Sequence, residues 1–217
     1  MQIPIPKRAF FNFSAPCYYR EKAPVLDGKL DDWDKTYRVP DLNGVEGKGT
    51  FIDLYMAWNK GGLYFALEVQ GASRLDVQPR RPQRSDGLQL WVDTRDVRNA
   101  HRASRYCHHF CFVPIGSGRG GKQAFGRQFR IRRARAQARL CDSDRLGVVS
   151  HIPKSGYQME IHLPGEVLTG FDPEENNRLG FTYMLRDRKL GRVHWTGDDS
   201  VPVSYDPSLW GTVELVK

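Results

Sequence analysis

The chain has 217 residues, of which 40% are hydrophobic, 12% aromatic and 27% charged; this suits one large globular domain and excludes disorder over most of its length. Its formal charge of +8 comes largely from one arginine-rich segment, and no apolar run approaches the roughly 18–20 residues that a membrane span needs. Four cysteines, at 17, 107, 111 and 141, form no recognisable disulfide framework, and free thiols suit a reducing compartment.

In chain order, Met1 to Arg8 has no apolar stretch behind its basic pair, so no secretory signal is visible and a cytoplasmic setting is expected. Residues 1–22 read as an irregular arm, with Phe10, Phe11, Phe13, Tyr18 and Tyr19 able to pin it across a domain that occupies 23–217. From Val25 onward, short strand-type runs are broken by Gly, Pro, Asn and Asp. Pro24 to Trp33 combines two acidic turns with an aromatic of buried type, and Leu54 to Trp58, Gly62 to Val69 and Asp86 to Asp93 follow as strands. Asn59-Lys60-Gly61-Gly62 is a hairpin turn in which glycine supplies positive φ. Gln78 to Ser85, proline-interrupted and polar, and Thr94 to Arg105, which carries His101, are loops.

Tyr106 to Phe112 is the next strand. Cys107 and Cys111 would stand about 13 Å apart along it, beyond the roughly 7 Å between Cα atoms that a disulfide tolerates. Cys107, His109 and Cys111 share one face at steps of about 6.7 Å, too wide for a tetrahedral zinc; the alternatives are a buried, hydrogen-bonded histidine or one of His108 and His109 lining a groove. Gly116 to Lys122 has the glycine spacing of a phosphate loop, but Gln123 stands where Ser or Thr would hold Mg²⁺ and no helix follows, so a hairpin loop is expected. Arg127, Arg130, Arg132, Arg133, Arg135 and Arg139 alternate with Phe129, Ile131, Ala134, Ala136, Ala138 and Leu140, with one slip at Arg132-Arg133. That is the pattern of a half-buried, bulged strand with arginine on its solvent face.

Gly156 to Pro164, Leu179 to Asp187 and Leu209 to Leu215 complete the strands, and Pro164 to Leu168 is the one candidate helical turn. Parallel α/β folds need helices of about ten residues or more between strands. The expected class is therefore all-β, an antiparallel β-sandwich of jelly-roll or immunoglobulin type with little helix. Trp33, Trp91, Phe110 or its neighbour, Tyr157 and Phe181 are its expected core; Trp210 is expected to be structural, and Trp58 is undecided. No Gly-x-Ser-x-Gly elbow occurs and the carboxylates sit in turns, so binding is expected rather than catalysis. Asp27, Asp31 and Asp32 gather oxygens in one turn region, which suits turn geometry and also Ca²⁺, with its six to eight oxygen ligands. Trp195, in the polar stretch His194 to Asp199, has no evident core to fill.

The order and spacing of these segments, from Asp27-Gly28-Lys29-Leu30-Asp31-Asp32-Trp33 through Asp86 to Asp93 and on to Leu209-Trp210-Gly211-Thr212-Val213-Glu214-Leu215, resemble the family-9 carbohydrate-binding modules and their DOMON-type relatives over roughly residues 23–217. The resemblance implies a non-catalytic domain that clamps a glycan end between two tryptophans, with structural calcium. One tryptophan of the pair matches Trp195; the other would lie at Pro82 to Ser85, where no aromatic stands, and the acidic position beside it matches Gln89. It implies a site built from Trp195, Gln89, Arg84, His108 and His109. Two alternatives go with it: a b-type haem held by Met184 and His108 or His109, as in cytochrome members of the DOMON group, and a protein or nucleic-acid surface on the Arg127–Arg139 strand. An enzyme would require this domain to be one piece of a larger assembly.

Overall fold

The structure, a computed structural model, describes residues 12–47, 49–72 and 74–217. Eleven strands run β1 Ser14–Tyr19, β2 Ile52–Asn59, β3 Gly62–Gln70, β4 Gly87–Asp93, β5 Cys107–Ser117, β6 Gln123–Phe129, β7 Gly147–His151, β8 Gly156–Pro164, β9 Arg178–Asp187, β10 Gly191–His194 and β11 Gly211–Val216. The described residues contain no α-helix, only 3-10 turns, one of them at Gly165–Val167. The hydrogen-bonded order is β6-β5-β4-β9-β11-β1-β2-β3-β8-β7, with β10 on β9. The path curls until β7 lies beside β6 and β5, where Ser150 Oγ donates to Pro114 O at 2.6 Å. The result is an all-β sandwich that is nearly closed on itself.

The alternation read in the sequence is what fills the interior. Leu88, Leu90 and Val92 of β4, Phe110 and Phe112 of β5, and Phe181, Tyr183 and Leu185 of β9 meet Phe65, Leu67, Met159 and Ile161 of the other layer, with Phe65 stacked on Phe181 at 5.9 Å. All the expected core residues are buried, but only Phe110, Tyr157 and Phe181 lie between the layers; Trp33 and Trp91 belong to smaller clusters on the outer faces of the sheets, a correction to the expected core. Trp58 joins the cluster between the layers, donating to Val216 O, and Trp210 donates to Val203 O. The Asn59–Gly62 turn forms as expected: Asn59 Oδ1 accepts from Gly61 N–H at 2.7 Å. At Gly62 (φ +138°) a Cβ would stand 2.1 Å from Leu163 O, so only glycine lets β3 meet β8 there.

Two further expectations are corrected. The arm is not irregular throughout, because Ser14–Tyr19 forms β1, which pairs in parallel with both β11 and β2 and is the exception to an otherwise antiparallel ladder. Only Ala15 and Cys17 of β1 point fully inward, so it lacks the bulky alternation that marks a strand, and its neighbours supply the pairing. Phe10 and Phe11 lie outside the described residues.

The arginine-rich segment is not a strand either, since β6 ends at Phe129. Ile131 drops into a cluster with Trp91, Cys107 and Trp210. The Gln137 side chain takes both of its backbone groups, accepting from Ile131 N–H at 3.1 Å and donating to Ile131 O at 2.8 Å. Those are the groups a ladder would have used, so the chain turns, with Arg133 at φ +57°. The flat arginine face on which an interaction surface would rest is absent.

Candidate functional site

The outer face of β5, β4 and β9 carries the residues whose neighbours point into the core. Pairing sets Trp91 between His109 and Thr182, and Gln89 between Cys111 and Met184; Met184 in turn faces His194 of β10. Over these side chains lies a cavity of about 500 Å³. Under it lie Trp91 and His109, stacked face to face 4.4 Å apart at 5° and both buried, with Phe129 on the other side of His109, so the pair turns its edges rather than a ring face to the cavity. His109 Nε2–H donates to Gln89 Oε1 at 2.9 Å, and Gln89 Nε2 donates to Gln83 O at 3.2 Å, which ties the loop before β4 to the floor. Because the Gln89 amide nitrogen faces the Gln83 carbonyl, the amide oxygen faces His109 and must accept, and His109 keeps its proton on Nε2. Burial holds the His109 imidazole neutral, its pKa pushed down to about 3.

Two loops raise the walls. Arg130 and Arg132 flank the clamped Ile131 on one side, and residues Asp198 to Tyr205 form the other. The second wall is built from short turns: Asp198 Oδ1 accepts from Ser200 N–H at 2.8 Å, and Trp210 holds Val203 O. Arg133 joins the walls, donating to Tyr205 OH at 3.2 Å and lying 5.3 Å over its ring.

Of the residues read from the sequence, Gln89 and His109 meet in this cavity. Arg84 ends the 3-10 turn Pro82–Arg84 and is exposed; its neighbour Gln83 lines the cavity instead. His108 faces the opposite way, accepting on Nδ1 from Gln128 Nε2 at 3.0 Å, and burial pushes its pKa down to about 4.

Trp195 is no stacking platform. It is fully buried, edge-on to Phe13 at 4.9 Å and near Phe181 at 5.3 Å, with Nε1–H donated to Pro40 O at 2.9 Å. The reason is register. Val193 and His194 pair with Leu185 and Met184, and Trp195 N–H donates to Tyr183 O; continuing that ladder turns His194 outward and Trp195 inward. The sequence reading missed the site roles of Trp91, His194, Arg130 and Arg132. Extending the β10 alternation by one residue would have exposed the error at Trp195.

Asp27, Asp31 and Asp32 do not converge on a cation. Asp27 Oδ1 accepts from Lys29 N–H and Asp32 Oδ2 accepts from Arg20 and from Val25 N–H, while Asp31 is exposed. Among the described residues no three His, Cys, Asp or Glu side chains are grouped to hold a metal, and burial pushes the Cys107 and Cys111 thiols up to about 12. Haem fits no better. His109 and Met184 project from the same outer face, and His108 from the other, so the three do not present opposed axial ligands.

No protein-family model matches the sequence, and no characterised protein matches it. Solved structures do match by shape. A family-9 carbohydrate-binding module from Caldicellulosiruptor kristjanssonii in complex with cellotriose superposes with a TM-score of 0.62 at 19% identity, covering 94% of each chain. The fold is that of a family-9 carbohydrate-binding module. A structure from the same organism in complex with glucose superposes at TM-score 0.59 and 18% identity, covering 93% of this chain and 95% of the other. With the same fold, this chain places a buried hydrophobic Trp195 against the interior and a Trp91–His109 floor outside it.

Proposed function

We propose that the chain is a non-catalytic carbohydrate-binding domain and that a glycan chain or sugar end enters the cavity over β4, β5 and β9. The make-up of that cavity supports the reading most directly. The edges of Trp91 and His109 offer a small apolar patch under a pyranose ring, and the remaining amide N–H of Gln89 with the Arg130 and Arg132 guanidiniums supplies planar hydrogen-bonding groups around it. The superposed family-9 structures hold cellotriose and glucose, which directs attention to sugars of that size.

The same cavity is poorly equipped for hydrolysis. A glycosidase needs two carboxyls about 5–10 Å apart across the scissile bond, whereas Asp198 and Asp199 are neighbours on one wall. His109, neutral down to about pH 3, is not in the imidazolium form that could protonate a leaving group near neutrality. With the faces of Trp91 and His109 turned to each other, a sugar ring forgoes on the order of 1 kcal/mol or more of aromatic stacking, so binding in the millimolar rather than the micromolar range is expected. Titrating cello- and xylo-oligosaccharides while following indole fluorescence and heat tests the reading. A saturable response from wild type, weakened at least about fivefold in Gln89→Ala, supports it; silence from every sugar ends it.

A further inference from the structure

The two walls of the cavity differ in how their charges are satisfied. Asp199 is paired with Arg192 and lies 3.6 Å from His194 Nε2, and Asp198 Oδ1 takes both the N–H and the hydroxyl of Ser200. Facing them, Arg130 and Arg132 are exposed on the cavity wall and make no hydrogen bond or ion pair with any described residue. They are not part of a loose basic tail. Ile131 between them is buried and held at both backbone groups by Gln137. The following turn is fastened by Ala134 N–H to Ile131 O and by Arg135 N–H to Ala103 O. Two guanidinium forks are thus carried on a pinned turn beside an aromatic floor.

We infer that the saccharide this cavity takes is an acidic one, a uronate whose ring carboxylate is held by Arg130 and Arg132 while its ring lies toward Trp91 and His109. The inference rests on the carbohydrate reading above and adds the charge of the ligand. A guanidinium matches a carboxylate bidentately, and such charge-assisted pairs are the strong ones. Neutral sugars would leave both forks to water. The carboxylates on the far wall are already held elsewhere, Asp198 by Ser200 of its own loop and Asp199 by Arg192 of β10.

Calorimetric titration of the whole chain with glucose against glucuronate, and with cellotriose against trigalacturonate, at low salt and at about 0.5 M salt, tests this. The acidic sugar of at least one pair should bind about tenfold tighter at low salt, with the margin shrinking as salt screens the charges. In the Arg130→Gln, Arg132→Gln double variant the ratio of acidic to neutral affinity should fall to near one. Its melting temperature should stay close to wild type, since both positions are exposed and unpartnered.

Equal affinity for acidic and neutral sugars overturns the inference and leaves the carbohydrate reading standing. Silence from all four overturns both. A preference for glucuronate or trigalacturonate that persists in the double variant overturns the assignment to these arginines. Tighter binding of a single-stranded oligonucleotide than of trigalacturonate would mean that the wall is a polyanion surface, and would overturn it as well.

Discussion

The sandwich has two outer faces, and the chain treats them differently. On β2, β3 and β8 the outward residues Ala57, Tyr64 and Ala66 are covered by Trp33, Leu30 and Tyr37 of the segment before β2. Beneath that cover Glu160 is fully buried, its Oε2 accepting from Asp27 and Gly28 N–H and its Oε1 from Trp33 Nε1–H, at 2.8–3.0 Å. On β4, β5 and β9 the outward residues Gln89, Trp91 and His109 are ringed by loops but left under a cavity. A buried carboxylate that takes three donors from one segment fastens that segment onto the sheet. A buried histidine, an amide and an indole beside open space are the arrangement on which the proposed sugar site rests. Both faces alternate with the same core, so the difference lies in what the connecting loops do above them.

That contrast can be broken from either side. The largest effect is expected on the covered face. Trp33→Ala removes a buried indole and one donor to Glu160, and should cost about 3–5 kcal/mol in denaturant unfolding, with little change in sugar affinity per folded molecule. A matching loss of affinity would mean that the two faces are coupled through the core.

A smaller effect comes from the histidines of the open layer. In the folded chain His109 stays neutral to about pH 3 and His108 to about pH 4, both held down by burial, while an unfolded chain titrates them near 6.5. Between those limits the unfolded state takes up protons that the folded state refuses. The stability these residues contribute is therefore complete above about pH 6.5 and is lost as the pH falls toward 4 and 3. The loss should be on the order of a few kcal/mol. In His109→Phe, which keeps a ring against Trp91, urea unfolding at successive pH values should show a shallower decline; an unchanged slope would mean that His109 is solvated in the folded state.

The smallest stability effect belongs to Gln89→Ala. It breaks the His109–Gln89–Gln83 chain on a face already next to space, and should cost about 1–2 kcal/mol while reducing sugar affinity. Loss of stability as large as in Trp33→Ala would place Gln89 among the structural residues and sharpen the contrast against the proposed site.

The fold was legible because each strand carries its own evidence. Leu88-Gln89-Leu90-Trp91-Val92 is a strand-type run between turn residues whatever lies beside it, and Asn59 to Gly62 makes a hairpin from local chemistry alone. The site was legible only in part. Gln89 and His109 were found, but Trp195 was placed outside because its neighbours are polar, and Arg130 and Arg132 were placed on a strand because they alternate.

What the amino-acid sequence by itself determined is the all-β class, the positions of most strands and the core residues on them, since a two-residue period and the turn residues that interrupt it are properties of the chain. Tertiary structure decided the rest. Which side of a strand faces in depends on the partner it is registered against, and the β10–β9 ladder turned Trp195 to the interior. Whether an alternating run becomes a strand depends on whether its backbone groups find a ladder, and the Gln137 side chain claimed those of Ile131 first. The cavity joins residues from β4, β5, β9, β10 and three loops; no local pattern encodes a space whose walls meet only after the sheet has curled.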